Sequence, residues 1–138
     1  MSVSQPLAIA VATTLMVAAC GSSRPDANTR YESVFDIKEA VENGGFECPA
    51  WEVRGTNEYA IESADCTTSN VFAIFDSASS IVDQREVRLT LLSIIQDTYY
   101  DLTGPNWNVG CSDLEECETL HDLLGGEITE WDLRSLDS

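Results

Sequence analysis

Lysine is almost missing from this chain. Lys38 is the only one, and the 138 residues hold seven basic side chains against 24 acidic ones, a formal charge of −17. That balance excludes nucleic acid as a partner, because binding it means neutralising phosphates with cations. It also sets the chain against an anionic membrane surface, so any attachment there has to come from something other than the folded domain's charge. The acidic excess reads first as a solvating coat and only second as a recognition face. Histidine is equally scarce. His121 stands alone, so a Ser or Cys nucleophile with a histidine base would have to run through it. No Gly-x-Ser-x-Gly elbow, no Gly-rich phosphate loop and no Cys-x-x-Cys pair occurs, so the commonest hydrolase, nucleotide and zinc patterns are absent. Acids are numerous enough that a glycosidase-type pair could be chosen at will, so their count carries no information. No internal repeat is visible, and no cofactor-binding pattern.

The chain also lacks an apolar run long enough to span a bilayer. Residues 1–19 carry no charged side chain, and Leu7 to Ala19 is apolar or small throughout. A helix over those residues would rise about 20 Å against a hydrocarbon core of roughly 30 Å. That length is the apolar region of a secretory signal. Val17-Ala18-Ala19-Cys20, followed at once by Gly21-Ser22-Ser23, resembles the lipobox of bacterial lipoprotein signal peptides. The resemblance covers the first 20 residues. It implies that Cys20 receives a diacylglyceryl group and becomes the N-terminus after residues 1–19 are removed. Two acyl chains on one residue suffice for stable anchoring, where one binds marginally. Met1 to Pro6 departs from the family pattern in having no Lys or Arg. The alternative is a buried apolar helix with an ordinary core cysteine.

Residues 20–33 are expected as the acylated cysteine and a flexible linker, since Gly21 to Arg30 has only Ala27 as an apolar residue. Residues 34–138 are expected as a single domain, a size that leaves little room for a second. Asp36 and Glu39 have capping spacing, and Gly44-Gly45 ends a helix over Asp36 to Asn43. Tyr59 to Cys66 and Asn70 to Phe75 read as two strands of a hairpin. The second is apolar almost throughout and so central. Ser79 to about Thr98 reads as a helix whose core face is Val87, Leu91, Ile94 and Ile95, although Val87 to Leu91 also alternates with period two. After the break at Gly104-Pro105, Trp107 to Cys111 reads as a strand. Ser112 with Glu115 has the spacing of a capping box, and Leu114, Cys117, Leu120, His121 and Leu124 form the stripe of a last helix closed by Gly125-Gly126. Ile128, Trp131 and Leu133 read as an edge strand or packed arm. The expected fold is α+β in the order α-β-β-α-β-α, with helices covering one face of a small antiparallel or mixed sheet.

With Cys20 acylated, four cysteines remain, and an even number in an exported domain reads as two disulfides. Of three pairings, Cys48–Cys66 and Cys111–Cys117 are favoured, because the second pair brackets the start of one helix and the first ties a connection to a strand end. The chain-entropy relation gives about 3 kcal/mol for the first and about 2.5 kcal/mol for the second. A zinc site on Cys111, Cys117 and His121 is the weaker alternative, lacking a fourth ligand. Asp101 to Asn108 offers oxygen ligands for calcium but lacks the ligand order of a calcium loop, so a turn around a packed Trp107 fits better. Tyr99, Tyr100 and Trp107 could line a recognition patch, though aromatics near a strand are usually core. The series Cys48-Pro-Ala-Trp51, Cys66, Gly104-Pro-Asn-Trp-Asn-Val109, Cys111, Cys117 and Leu124-Gly-Gly126 is similar to small exported proteins of actinobacteria. That likeness covers about residues 35–126 and implies a shared fold but no substrate.

The resulting expectation is a lipid-anchored, extracytoplasmic binding module of the cell envelope. It would be held to the membrane through Cys20 and would meet an envelope protein or small ligand without catalysis. An envelope enzyme or enzyme modulator using paired carboxylates is the runner-up, and a metal-capturing lipoprotein the third reading.

Overall fold

The computed structural model describes residues 24–137. The expected signal peptide, residues 1–19, and Cys20 lie outside the described residues. Helix α1, Val34–Asn43, starts two residues before its expected first residue, because Ser33 and not Asp36 is the cap. The Ser33 hydroxyl accepts the Asp36 N–H at 3.2 Å while the Asp36 carboxylate accepts the Ser33 N–H at 3.1 Å, a reciprocal box that satisfies two otherwise orphaned donors. Strands β1, Glu52–Gly55, β2, Glu62–Asp65, and β3, Val71–Ile74, follow. The sequence reading had no β1, a short exposed edge strand with a bulge between Val53 and Gly55 and thus little apolar signature.

Helix α2, Ala78–Leu92, is capped by Ser77 and stops six residues short of its expected end at Thr98. Strand β4, Thr98–Thr103, takes over, and its Thr-Tyr-Tyr-Asp-Leu-Thr composition suits a pleated surface better than a helix. It pairs with both β5, Trp107–Cys111, and β6, Glu127–Asp132. Helix α3, Leu114–Leu124, lies between those two strands and is capped one residue later than expected, by Asp113, whose carboxylate accepts the Glu116 N–H at 2.8 Å. A 3-10 turn, Leu133–Asp137, follows β6.

All neighbouring strands are antiparallel, in the spatial order β1-β2-β3-β5-β4-β6. The α+β class and the antiparallel sheet agree with expectation, while the simple α-β-β-α-β-α order lacks β1, β4 and a settled β6. The helices do not share a face. Phe72, Ile74, Leu102, Trp107 and Val109 point toward α1 and α3 and join Ile37, Val41, Leu120 and Leu124 in the main core. Their sequence neighbours Ala73, Tyr99, Asp101 and Asn108 point the other way, as period-two alternation requires, and α2 covers them. A strand apolar on both sides, as β3 is, needs cover on both sides.

The amino-terminal part of the described chain is fastened down. Gly126 N–H donates to Asp26 O at 3.1 Å, the Trp107 indole N–H to Thr29 O at 2.8 Å, and the Tyr31 hydroxyl to Leu124 O at 3.0 Å. Arg24 pairs with Asp122. Much of the stretch expected as a free linker is therefore laid along the domain. The Trp107 ring also requires glycine at 104, since a Cβ there would collide with it. No helix among the described residues is long and apolar enough to cross a membrane.

Candidate functional site

The α2 side of the sheet concentrates the polar chemistry. Arg85 and Arg88 lie one helical turn apart and both turn toward the sheet. Arg85 donates from Nε to Asp101 Oδ2 at 3.0 Å and from a terminal nitrogen to Thr103 Oγ1 at 2.7 Å, and its guanidinium lies 5.0 Å from the Trp131 ring centre. Arg88 donates to the Tyr99 hydroxyl at 3.0 Å and to Asn108 Oδ1 at 3.1 Å. Asn108 Nδ2 donates in turn to Asp101 Oδ2 at 3.1 Å, and the Trp131 indole N–H to Asp101 Oδ1 at 3.3 Å. Alternation along β4, β5 and β6 puts Tyr99, Asp101, Thr103, Asn108 and Trp131 on this one face.

Asp101 is only 1% exposed and is the one buried carboxylate among the described residues. Both its oxygens accept hydrogen bonds, so it serves as the hub of an ion pair and not as a free general base. Burial raises the Tyr99 pKa above its ordinary value, and the Arg88 guanidinium pulls against that rise. No buried side-chain nitrogen or oxygen among the described residues lacks a partner. Beside this network a cleft of about 430 Å³ opens between α2 and β6, with Arg85, Thr103, Pro105, Glu127 and Trp131 in its walls. Sequence reasoning missed Arg85, Arg88 and Trp131. The available signal was that two of seven basic residues stand three apart in one helix.

The other feature of α2 is its outer surface. Val87, Leu91, Ile94 and Ile95, expected as core, are 46%, 63%, 79% and 76% exposed. The residues facing the sheet are Ile81, Arg85, Arg88, Leu89 and Leu92, an equally regular stripe. The ion-pair network and the Leu89–Tyr99–Leu133 cluster hold that stripe inward. A second groove, of about 330 Å³, runs between Tyr59 with its preceding loop and Val87 and Leu91 on α2.

The sulfur chemistry lies elsewhere. Cys48 is bonded to Cys66 at 2.04 Å and Cys111 to Cys117 at 2.02 Å, the two pairs that spacing favoured. This removes the zinc alternative on Cys111, Cys117 and His121, because both thiolates are consumed in one bond. Among the described residues no group of three His, Cys, Asp or Glu side chains is placed to hold a metal ion. His121 sits half-buried on α3. The calcium alternative at Asp101 to Asn108 also falls, since Asp101 is taken by Arg85 and Trp107 is wholly buried. Tyr99 is buried too and Tyr100 packs against the main core, so these aromatics are core, as favoured, and the alternative of a recognition patch falls. Compared with protein-family models, with curated proteins and with solved structures, the chain matches none.

Proposed function

We propose that this chain is an extracytoplasmic lipoprotein, anchored by acyl chains on Cys20, whose domain acts by binding and not by catalysis. The observation that carries this reading is the use of the cysteines. Four of the five close two disulfides within the domain, which suits an oxidising compartment. The fifth, Cys20, is the lipobox residue. The absence of a freely acting buried acid at Asp101 favours binding, since its carboxylate is committed to Arg85, Asn108 and Trp131.

The anchor in this reading is short. Arg24 is paired with Asp122, and four peptide steps from Cys20 reach at most about 14 Å. The domain then rests close to the headgroups, with the end of the sheet marked by Thr103 and Glu127 toward the bilayer, because Gly126 is bonded to Asp26 there. Cells fed a radiolabelled fatty acid test the anchor. Wild type takes up label and loses residues 1–19, whereas Cys20→Ala stays unlabelled and uncleaved. Label kept at full strength in that variant overturns the reading.

A further inference from the structure

We propose that the outer face of α2 is a docking surface for a protein segment that presents an apolar row flanked by lysine or arginine. Val87 and Leu91 stand at i and i+4 on the helix, a spacing with which a helix offers anchors to a partner, and Ile94 and Ile95 continue the exposed series in the turn beyond Leu92. All four are exposed, Ile94 and Ile95 by more than three quarters. Isolated exposed aliphatics are normal, but four within nine residues, two of them lining one groove, mark an interaction surface.

Charge selects the occupant. Glu58 and Glu86 line the grooves that Val87 and Leu91 line, and Asp83 and Asp97 are exposed just before and just after the row in the chain. The only cations of α2, Arg85 and Arg88, are turned inward and engaged with the sheet. Arg88 also lines the groove beside Val87 and Leu91, and Arg134 lies within electrostatic range of Asp97. Both guanidiniums are engaged, with Tyr99 and Asn108 and with Asp132, so the rim stays net acidic on a chain of formal charge −17. A second copy would bring the same acids and be repelled, and an anionic bilayer likewise. Position speaks against a bilayer as well. Thr98 pairs with Asp132 at one end of the β4–β6 ladder and Thr103 with Glu127 at the other. Ile94 and Ile95 precede Thr98, whereas Asp26 is bonded at the Thr103 end. The two sites are thus separated along the ladder by about 17 Å. An anchor entering near Arg24 leaves the apolar row on the side away from the membrane. That last step rests on the anchor reading, while the charge argument does not.

The experiment has two arms. In the first, the full chain in neutral detergent, acylated or not, is titrated with a helix-forming peptide of about 18 residues, Leu on one face and Lys on the other, and with its Glu-for-Lys counterpart. The Lys peptide is expected to bind at least about tenfold tighter, and the double variant Leu91→Gln/Ile94→Gln, which keeps the net charge, to lose about tenfold. Equal binding of the two peptides, or of variant and wild type, overturns the proposal. In the second arm a photo-crosslinking side chain replaces Ile94 in cells, with Glu118 on α3 as the control position. Adducts from Ile94 should map by mass spectrometry to an apolar stretch bordered by Lys or Arg in another protein. Adducts with lipid, with this chain alone, or no more frequent than from Glu118, sink it. Because the peptide arm needs no acylation, loss of the anchor reading alone would leave its outcome unchanged.

Discussion

The two faces of the sheet are built on different principles. On the α1–α3 side Phe72, Leu102, Trp107 and Val109 meet Ile37, Leu120 and Leu124 in one continuous apolar core, and both disulfides lie in it. On the α2 side the apolar contacts split into two small clusters, around Ile81 and around Leu89. Between them runs the Arg85–Asp101–Asn108–Arg88 network. The first face draws its stability from buried area and cross-links, about 1.5–3 kcal/mol for each large side chain. The second draws specificity of placement from charge-assisted hydrogen bonds, whose net worth is smaller but whose half-removal is costly. A helix held in that way can carry aliphatic side chains on its far side without being pulled over to bury them.

The sharpest way to break the first face is Trp107→Ala. Trp107 is fully buried, packs edge-on against Tyr31 at 5.4 Å between ring centres, and holds Thr29 through its indole N–H. A loss of about 3–5 kcal/mol in denaturant unfolding is expected, together with new tryptic cleavage at Arg30 as the segment from Asp26 to Tyr31 comes free. If the variant does not fold, Trp107→Phe should show the cleavage alone. Unchanged stability and protected Arg30 would show that the segment is held by other contacts.

The corresponding break on the second face is Asp101→Ala. It leaves Arg85, whose side chain is 16% exposed, without its counter-charge, and a cost of about 3 kcal/mol is expected. The double variant Asp101→Leu/Arg85→Met should recover most of that cost, because replacing the whole pair removes the unpaired charge. An equal loss in single and double variants would assign the cost to packing. Next come the bridges. Replacing Cys48 and Cys66 by Ser is expected to cost about 3 kcal/mol and replacing Cys111 and Cys117 about 2.5 kcal/mol, in proportion to the logarithm of the loop each closes. Both should be read by guanidinium unfolding.

The two faces also differ in how they meet alkali. Tyr31 on the α1–α3 side and Tyr99 on the α2 side both have pKa values raised by burial, with Arg88 opposing the rise at Tyr99. A group whose folded pKa lies above its unfolded value near 10 contributes stability that is intact below pH about 10 and is lost as pH rises through the folded value. Alkaline titration followed by tyrosinate absorbance should therefore show these two ionising late, and Tyr99→Phe should remove one of the late steps. A single unshifted transition would contradict this.

Legibility in the sequence followed the same division. Elements of the apolar face were readable from periodicity and caps, as with α3, where Cys117, Leu120 and Leu124 are buried, and β5, whose bounds are as expected. Cysteine spacing sufficed for both bridges because each joins ends of neighbouring elements. The α2 side was misread for a physical reason. Apolar periodicity is informative when burial decides orientation, and here hydrogen bonds from Arg85 and Arg88 decide it. Two helical stripes compete on α2, and the one containing the arginines wins. Strand β4 was hidden for a related reason, since its polar residues face a network and not water.

The smallest expected effects test that competition most directly. Leu89 and Leu91 are two residues apart, yet Leu89 is 6% exposed and packs with Tyr99 and Leu133, while Leu91 is 63% exposed. Leu89→Ala should cost about 2 kcal/mol or more. Leu91→Gln should change stability by no more than about 0.5 kcal/mol in either direction. The same holds for Ile94→Gln. If Leu91→Gln proved as costly as Leu89→Ala, the outer row would be buried in the free domain, and α2 would lie in the orientation that its apolar periodicity favours. If it proves neutral, the row is kept for a reason other than stability, which is the condition that a docking surface has to meet.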